Sequence, residues 1–138
     1  MPRSGGLPLG GAQVLKMPHL WLEFSNNVTQ PVIFDELFSR LHQAVARTAG
    51  VPVEACKSRA LRQSVFRVGE GRPDQAFVHL VIGLLAGRQP EAHRAVAKVC
   101  LEVLEEVYDP SLQALDLQIT VEVRGMERES YQKSSSSR

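Results

Sequence analysis

One run of this sequence, residues 75–85, is apolar on both faces of an extended chain. Phe77, Val81 and Leu85 fall on one face, and Val78, Leu80, Ile82 and Leu84 fall on the other. A strand of this kind has to be covered on both sides. The helices that the rest of the sequence predicts cover only one side, so we expect another copy of the chain to cover the second.

Hydrophobic periodicity predicts two strand–helix–strand units in succession. Strands or extended segments are expected at about 18–24, 56–62, 75–85 and 115–123, and helices at about 32–48 and 90–108. Each unit implies a right-handed parallel crossover. The sequence therefore predicts an α+β protein with a β-α-β-β-α-β order, in which two helices cover one face of a four-stranded sheet.

The 138 residues are enough for one domain with a modest core. Residues 1–16 are rich in Gly and Pro and have no periodicity, so we expect a flexible N-terminal extension. The folded domain is expected at 17–125. Residues 126–138 are polar and carry a run of four serines before the final Arg138, which predicts a disordered tail.

Composition excludes several classes of function. A net charge of +1 gives no strong field for nucleic acid or an anionic membrane, and no apolar stretch approaches a membrane span. The histidines show no metal-ligand spacing, so no metal site is predicted. Cys56 and Cys100 are far apart and lack a CxxC pattern, which is typical of reduced thiols in a cytoplasmic protein.

A Met-Pro pair, Met17-Pro18, opens the first predicted strand. A proline at the first position of a strand is structurally tolerable because its missing N–H is not needed there. If translation begins at Met17 and the methionine is removed, Pro18 becomes an N-terminal secondary amine that can accept a proton. If the preceding residues stay attached, the same nitrogen is an amide and is not basic.

Four segments resemble the 5-carboxymethyl-2-hydroxymuconate isomerases of the tautomerase superfamily. They are Pro18-His19-Leu20-Trp21-Leu22-Glu23-Phe24-Ser25, Ser58-Arg59, Gln75-Ala76-Phe77-Val78-His79-Leu80 and Ala86-Gly87-Arg88, and the similarity runs from about Met17 to Glu122. Members of that family fold as β-α-β-β-α-β, assemble as trimers and use an N-terminal proline as a general base without a cofactor. The resemblance therefore implies a homotrimer and a catalytic role for Pro18.

Arg59 and Arg88 are the candidate substrate-binding residues, with Lys57 as the alternative to Arg59. A guanidinium fork holds a carboxylate in a fixed orientation and favours the dienolate that develops during proton transfer. Arg88 lies in a strand-to-helix loop, where substrates are usually met.

Two functions remain open from the sequence. The first is a cofactor-independent isomerase or tautomerase that acts on a small unsaturated 2-hydroxy or keto carboxylate. The second is a non-catalytic trimer of the same fold, in which the preceding residues block Pro18 and the protein serves as a binding or scaffold module. The sequence does not name the substrate, since two cations suit a dicarboxylate or a monocarboxylate with an enolate oxygen.

Overall fold

Four strands and two long helices follow one another along residues 18–136, the part of the chain that this computed structural model describes. The strands are β1 (His19–Ser25), β2 (Lys57–Gln63), β3 (Gln75–Leu85) and β4 (Asp116–Met126), and the long helices are α1 (Phe34–Ala49) and α2 (Pro90–Val107). A 3-10 turn at Val53–Ala55 precedes β2, and a short helix, α3 (Asp109–Ala114), precedes β4. The predicted β-α-β-β-α-β fold is confirmed.

The strands form one sheet in the order β2-β1-β3-β4. Strands β1 and β2 are parallel, strands β3 and β4 are parallel, and the two halves meet where β1 and β3 pair antiparallel. Because β1 and β3 run in opposite directions, the starts of β1 and β2 lie at the same end of the sheet as the ends of β3 and β4. We call this the Pro18 end of the sheet.

The core lies between one face of the sheet and the two long helices. Strand β1 contributes Leu20, Leu22 and Phe24, and β3 contributes Val78, Leu80 and Ile82, all of them buried. From the helices, the core includes Leu37, Leu41, Val45, Val96, Cys100 and Leu104. These side chains recur at helical spacing, so burial of one stripe per helix holds the layers together.

The end of α1 follows from its sequence. Gly50 adopts the left-handed conformation, with φ of 71°, and its N–H donates to the carbonyl of Ala46. A residue with a Cβ rarely adopts this φ, which is why glycine stops the helix here. The chain then returns to the Pro18 end of the sheet and enters β2.

The sheet face opposite the helices, which we call the open face, is less apolar than the sequence predicts. Phe77 and Val81 do lie on it, half-buried, but His79 lies between them and bonds Thr120 through Nδ1 and Oγ1 at 2.6 Å. Gln63 donates to Glu23 on the same face at 2.9 Å. Besides Trp21, the neighbours of β3 on this side are polar and include Glu23, Gln118, Thr120 and Glu122, so the apolar surface is discontinuous.

The structure describes most of the segment predicted as a tail, 126–138, and strand β4 extends into its first residue. Strand β4 continues through Met126, which pairs with Leu85, and Arg128 and Tyr131 then contact other parts of the sheet. The sequence pattern missed this extension because Arg124-Gly125-Met126 has no apolar alternation. The predicted extension at 1–16 lies outside the described residues, and so do the last two residues of the predicted tail.

Candidate active site

Pro18 lies immediately before β1, and its side chain is less than 2% exposed. Its carbonyl oxygen accepts a hydrogen bond from the N–H of Lys57 at 3.2 Å. This bond continues the parallel pairing of β1 and β2 by one step, so the sheet itself fixes the backbone of Pro18. In the 138-residue chain the Pro18 nitrogen is an amide, because Met17 precedes it. As the first residue of a chain it would be a secondary amine.

Lys57 is the first residue of β2 and pairs with His19. Its side chain is exposed, and Nζ donates to the carbonyl of Ala55 at 2.9 Å. The contact with a local carbonyl keeps the ammonium group at the Pro18 end of the sheet. Among the candidate cations, Lys57 is the one whose backbone bonds directly to Pro18.

Arg59 lies two residues further along the same face of β2, and its guanidinium is held against β1. Both Nη1 and Nη2 are 3.2 Å from Nδ1 of His19, and Cζ is 5.0 Å from the centre of the Trp21 ring. A guanidinium over an indole face is a cation–π contact. Arg59 is thus packed on the open face, and along β2 it lies further from Pro18 than Lys57 does.

Arg88 lies at the Pro18 end, in the loop after β3, but it is not a free loop side chain. Its Nη1 donates to the carbonyl of Ala49 at 2.9 Å, and the side chain is half-buried. Ala49 is the last residue of α1, where unpaired carbonyls attract cations. The structure therefore gives Arg88 a role in tying the loop to the helix, which the sequence did not predict.

Two side chains near Pro18 were absent from the candidates predicted by sequence. His19 follows Pro18 directly, and its Nε2 is 3.2 Å from the hydroxyl of Tyr131. Burial, with smaller contributions from Arg59 and Lys57, lowers the pKa of His19 below its ordinary value of 6.5. One signal could have pointed to Tyr131: it is the sole aromatic residue of an otherwise polar tail.

A separate cavity of about 470 Å³ opens on the open face. Trp21, Arg59, His79 and Arg124 are among the residues that line it, and Pro18 is not. The cavity lies along the middle of the sheet rather than at the Pro18 end. Pro18 is therefore not part of this cavity as a single chain forms it.

Thiol and metal chemistry find no support within the described part of the chain. Both cysteines are free and buried, and burial raises the pKa of Cys56 to about 11 and that of Cys100 to about 12. Such thiols stay protonated at neutral pH and are poor nucleophiles. Among these residues no group of three or more His, Cys, Asp or Glu side chains is placed to hold a metal ion.

No helix between Pro18 and Ser136 has the length and apolar character needed to cross a membrane.

Comparison with solved structures places the fold among the tautomerases. A crystal structure of a 5-carboxymethyl-2-hydroxymuconate isomerase from Deinococcus radiodurans R1 superposes with a TM-score of 0.79 at 28% identity, over 87% of this chain and 90% of that one. A structure described as a fused 4-OT wild-type symmetric trimer superposes with a TM-score of 0.63 at 16% identity, over 79% of this chain and 85% of that one. The protein has the fold of the tautomerase superfamily.

The sequence comparisons narrow this class to one family. The sequence model of the 5-carboxymethyl-2-hydroxymuconate isomerase family matches residues 18–138. The 5-carboxymethyl-2-hydroxymuconate Delta-isomerase of Escherichia coli is 23% identical over 107 residues, which are 78% of this chain and 85% of the relative. The chain belongs to the 5-carboxymethyl-2-hydroxymuconate isomerase family, and the prediction of an isomerase is confirmed.

Proposed function

We propose that this protein is a cofactor-independent tautomerase in which Pro18, as an N-terminal residue, is the general base. The observation that carries the proposal is the position of Pro18: a buried ring at a strand end, bonded through its carbonyl to Lys57. The match to the family also begins at Pro18. Residues 1–17 would have to be absent from the active form.

The proposed reaction moves one proton. The amine of Pro18 takes a proton from the substrate, an enolate or dienolate forms, and the ammonium returns a proton at another atom of the conjugated system. A free α-amine titrates near ~8, so an exposed proline would be largely protonated at neutral pH. Burial of the ring and the positive charge of Lys57 both disfavour the ammonium form, which keeps a larger share of Pro18 available as base.

Lys57 and Arg88 are the proposed ligands of the substrate carboxylate, and Arg59 is a weaker candidate than Lys57. Lys57 and Arg88 belong to the Pro18 end, whereas the guanidinium of Arg59 already contacts His19 and Trp21. Arg88 donates one N–H to the carbonyl of Ala49, and its other N–H groups can donate to a substrate oxygen. The chemistry supported is that of a small unsaturated 2-hydroxy or keto acid. The compound in the relatives' names, 5-carboxymethyl-2-hydroxymuconate, is the first one to test.

The proposed assembly is a homotrimer that covers the open face. One structural neighbour is described as a symmetric trimer. On the open face two large apolar side chains, Trp21 and Leu61, are 41% and 59% exposed. A neighbouring subunit would bury these side chains.

One observation favours a second function. Met17 precedes Pro18 in this sequence, and an acylated proline nitrogen has no basic lone pair. If the full chain persists, the protein would be a trimeric binding module without tautomerase activity. The intact mass of natively expressed protein distinguishes the two forms, because loss of the preceding residues changes the mass by far more than the measurement error.

The test compares the full chain with a chain that begins at Met17 and is processed to expose Pro18. We expect the short form to tautomerise 2-hydroxymuconate-type or phenylenolpyruvate-type substrates and the full chain to do so poorly or not at all. Pro18→Ala in the short form should abolish the activity, while circular dichroism stays unchanged. Full activity in the uncleaved chain, or in Pro18→Ala, would mean that Pro18 is not the base.

A further inference from the structure

A directed chain of hydrogen bonds runs from Arg59 through His19 to Tyr131. The guanidinium of Arg59 can only donate, so Nδ1 of His19 must be the acceptor and carries no proton. The neutral ring then carries its proton on Nε2, which donates to the hydroxyl oxygen of Tyr131 at 3.2 Å. Trp21 stacks on the same imidazole at a ring-centre distance of 5.6 Å. Both nitrogens and one face of the ring are therefore held.

The C-terminal segment reaches His19 by crossing the Pro18 end of the sheet. After β4 ends at Met126, Nε of Arg128 donates to the carbonyl of Ala86 at 2.8 Å, next to the end of β3. The N–H of Tyr131 then donates to the carbonyl of Arg128 at 3.2 Å, and its ring arrives over β1. The segment thus links the ends of β4 and β3 to the start of β1.

We propose that His19 and Tyr131 are positioning residues for Pro18, so that the C-terminal segment is part of the active site. This inference rests on the proposed function. An N-terminal residue has one covalent neighbour, and terminal residues fray unless they are tied down. For Pro18 that neighbour is His19, whose side chain is clamped between β2 and the C-terminal segment. The clamp holds the amine in register for proton transfer, where small displacements are costly.

The charges around His19 are consistent with a ring that stays neutral. Lys57 and Arg59 face it from β2, Tyr131 faces it from the C-terminal segment, and the neighbouring β3 residue is Gly83, which carries no charge. A proton on Nδ1 would point at the N–H groups of Arg59 and would be repelled by them. Loss of the Tyr131 bond would free the imidazole from one of its two polar contacts.

The kinetic test uses Tyr131→Phe, His19→Leu and His19→Gln in whichever form of the chain is active. We expect Tyr131→Phe and His19→Leu to lower kcat about tenfold, with KM changed less than about twofold because neither residue is proposed to bind the substrate. Glutamine can accept at Oε1 and donate at Nε2, so His19→Gln should recover most of the lost kcat. Thr120→Val is the matched control, because it removes the hydroxyl partner of His79, another histidine of the open face. It should leave kcat unchanged.

The outcomes separate this inference from the proposed function. If Pro18→Ala is inactive but Tyr131→Phe keeps the wild-type kcat, the positioning role is wrong and the general base stands. If Tyr131→Phe and Thr120→Val lower kcat equally, the effect is one of general stability and the positioning role is again wrong. If Pro18→Ala is fully active, both proposals fail. Independently of activity, ¹⁵N NMR of the full chain should find His19 as the neutral Nε2–H tautomer at pH 7, and the Nδ1–H tautomer or a charged ring would overturn the bond direction.

Discussion

Lys57 and Arg59 lie on the same face of β2, yet their side chains have different partners. The exposed ammonium of Lys57 bonds the carbonyl of Ala55, whereas Arg59 is packed against His19 and Trp21. The alternating strand pattern places both residues on one face and does not tell which of them lies nearer to Pro18. The β1/β2 register does, because Lys57 is the residue whose N–H bonds the carbonyl of Pro18.

We predict that Lys57→Ala lowers kcat/KM for an acidic enol substrate by about 10²–10³-fold, the usual effect of losing one charged contact to a reacting anion. Lys98→Ala on α2 is the control, since it removes an exposed lysine from the helical side of the molecule. Steady-state kinetics of both variants measure kcat/KM, and melting curves measure their stability. A Lys57→Ala enzyme with wild-type kcat/KM would remove Lys57 from the site.

Two histidines make the stability of the fold depend on pH. Burial is the largest cause that lowers the pKa of His19, and burial also lowers the pKa of His42, whose Nε2 lies 2.6 Å from Oγ of Ser58. A folded-state pKa below the unfolded value means that the unfolded chain binds more protons as the pH falls through 6.5. The stability from these groups is therefore present above pH 6.5 and is lost as the pH falls toward the lowered folded-state pKa values.

We expect the free energy of unfolding to be smaller at pH 5.5 than at pH 7.5, and the difference to shrink in His42→Gln. Urea unfolding at the two pH values, with the same ionic strength, measures this. An identical pH difference in wild type and His42→Gln would show that His42 does not carry it.

At the scale of elements, Arg88 connects the loop after β3 to the end of α1. From the sequence alone, a Gly-flanked arginine has little packing to lose, and its removal should affect turnover more than folding. The bond to the carbonyl of Ala49 changes this expectation, because a helix end would lose a partner.

We predict that Arg88→Ala lowers stability by about 1 kcal/mol in addition to reducing turnover. Arg88→Lys keeps a cation near the helix end and should recover much of the stability but less of the turnover, because lysine lacks the planar fork. Chemical denaturation and kinetics on the same samples separate the two effects. Unchanged stability in Arg88→Ala would contradict the helix contact, and unchanged turnover would contradict substrate binding.

The elements themselves follow from sequence, whereas the contacts around the site do not. The predicted strand at 75–85 has the bounds of β3, and Gly50 ends α1 where a glycine stop is expected. These predictions rest on local periodicity and on one residue's conformational freedom. The bond between His19 and Tyr131 joins residues 112 positions apart, and no periodic pattern relates them. Pairing between β4 and β3 brings them together, so it needs the three-dimensional fold.

At the scale of the whole molecule, the open face is where a second subunit is expected. The apolar character of β3 predicts that this face is covered. The resemblance to the isomerase family implies that three subunits assemble. In the structure the face carries polar pairs as well as exposed Trp21 and Leu61. Interfaces that combine apolar area with satisfied polar groups are common, so the mixed surface still fits an interface.

We predict a homotrimer at micromolar concentration, and we predict that Leu61→Glu weakens it. A buried, unpaired carboxylate is costly at an interface, whereas the same change at Ile33, which is 65% exposed before α1 and away from the open face, should leave the trimer intact. Sedimentation or light scattering of the three proteins measures the mass. A monodisperse wild-type monomer, or equal trimer loss in both variants, would contradict an interface on the open face.

If a free Pro18 amine is the base, its titration should govern the rate of the reaction. In ¹⁵N-proline-labelled protein that begins at Pro18, this nitrogen is the only proline nitrogen that is not an amide. We expect its pKa to lie below that of an exposed N-terminal proline and to coincide with the acidic limb of the kcat/KM profile. A nitrogen that titrates like an exposed amine, or at a pH unrelated to the rate profile, would show that Pro18 is not the base.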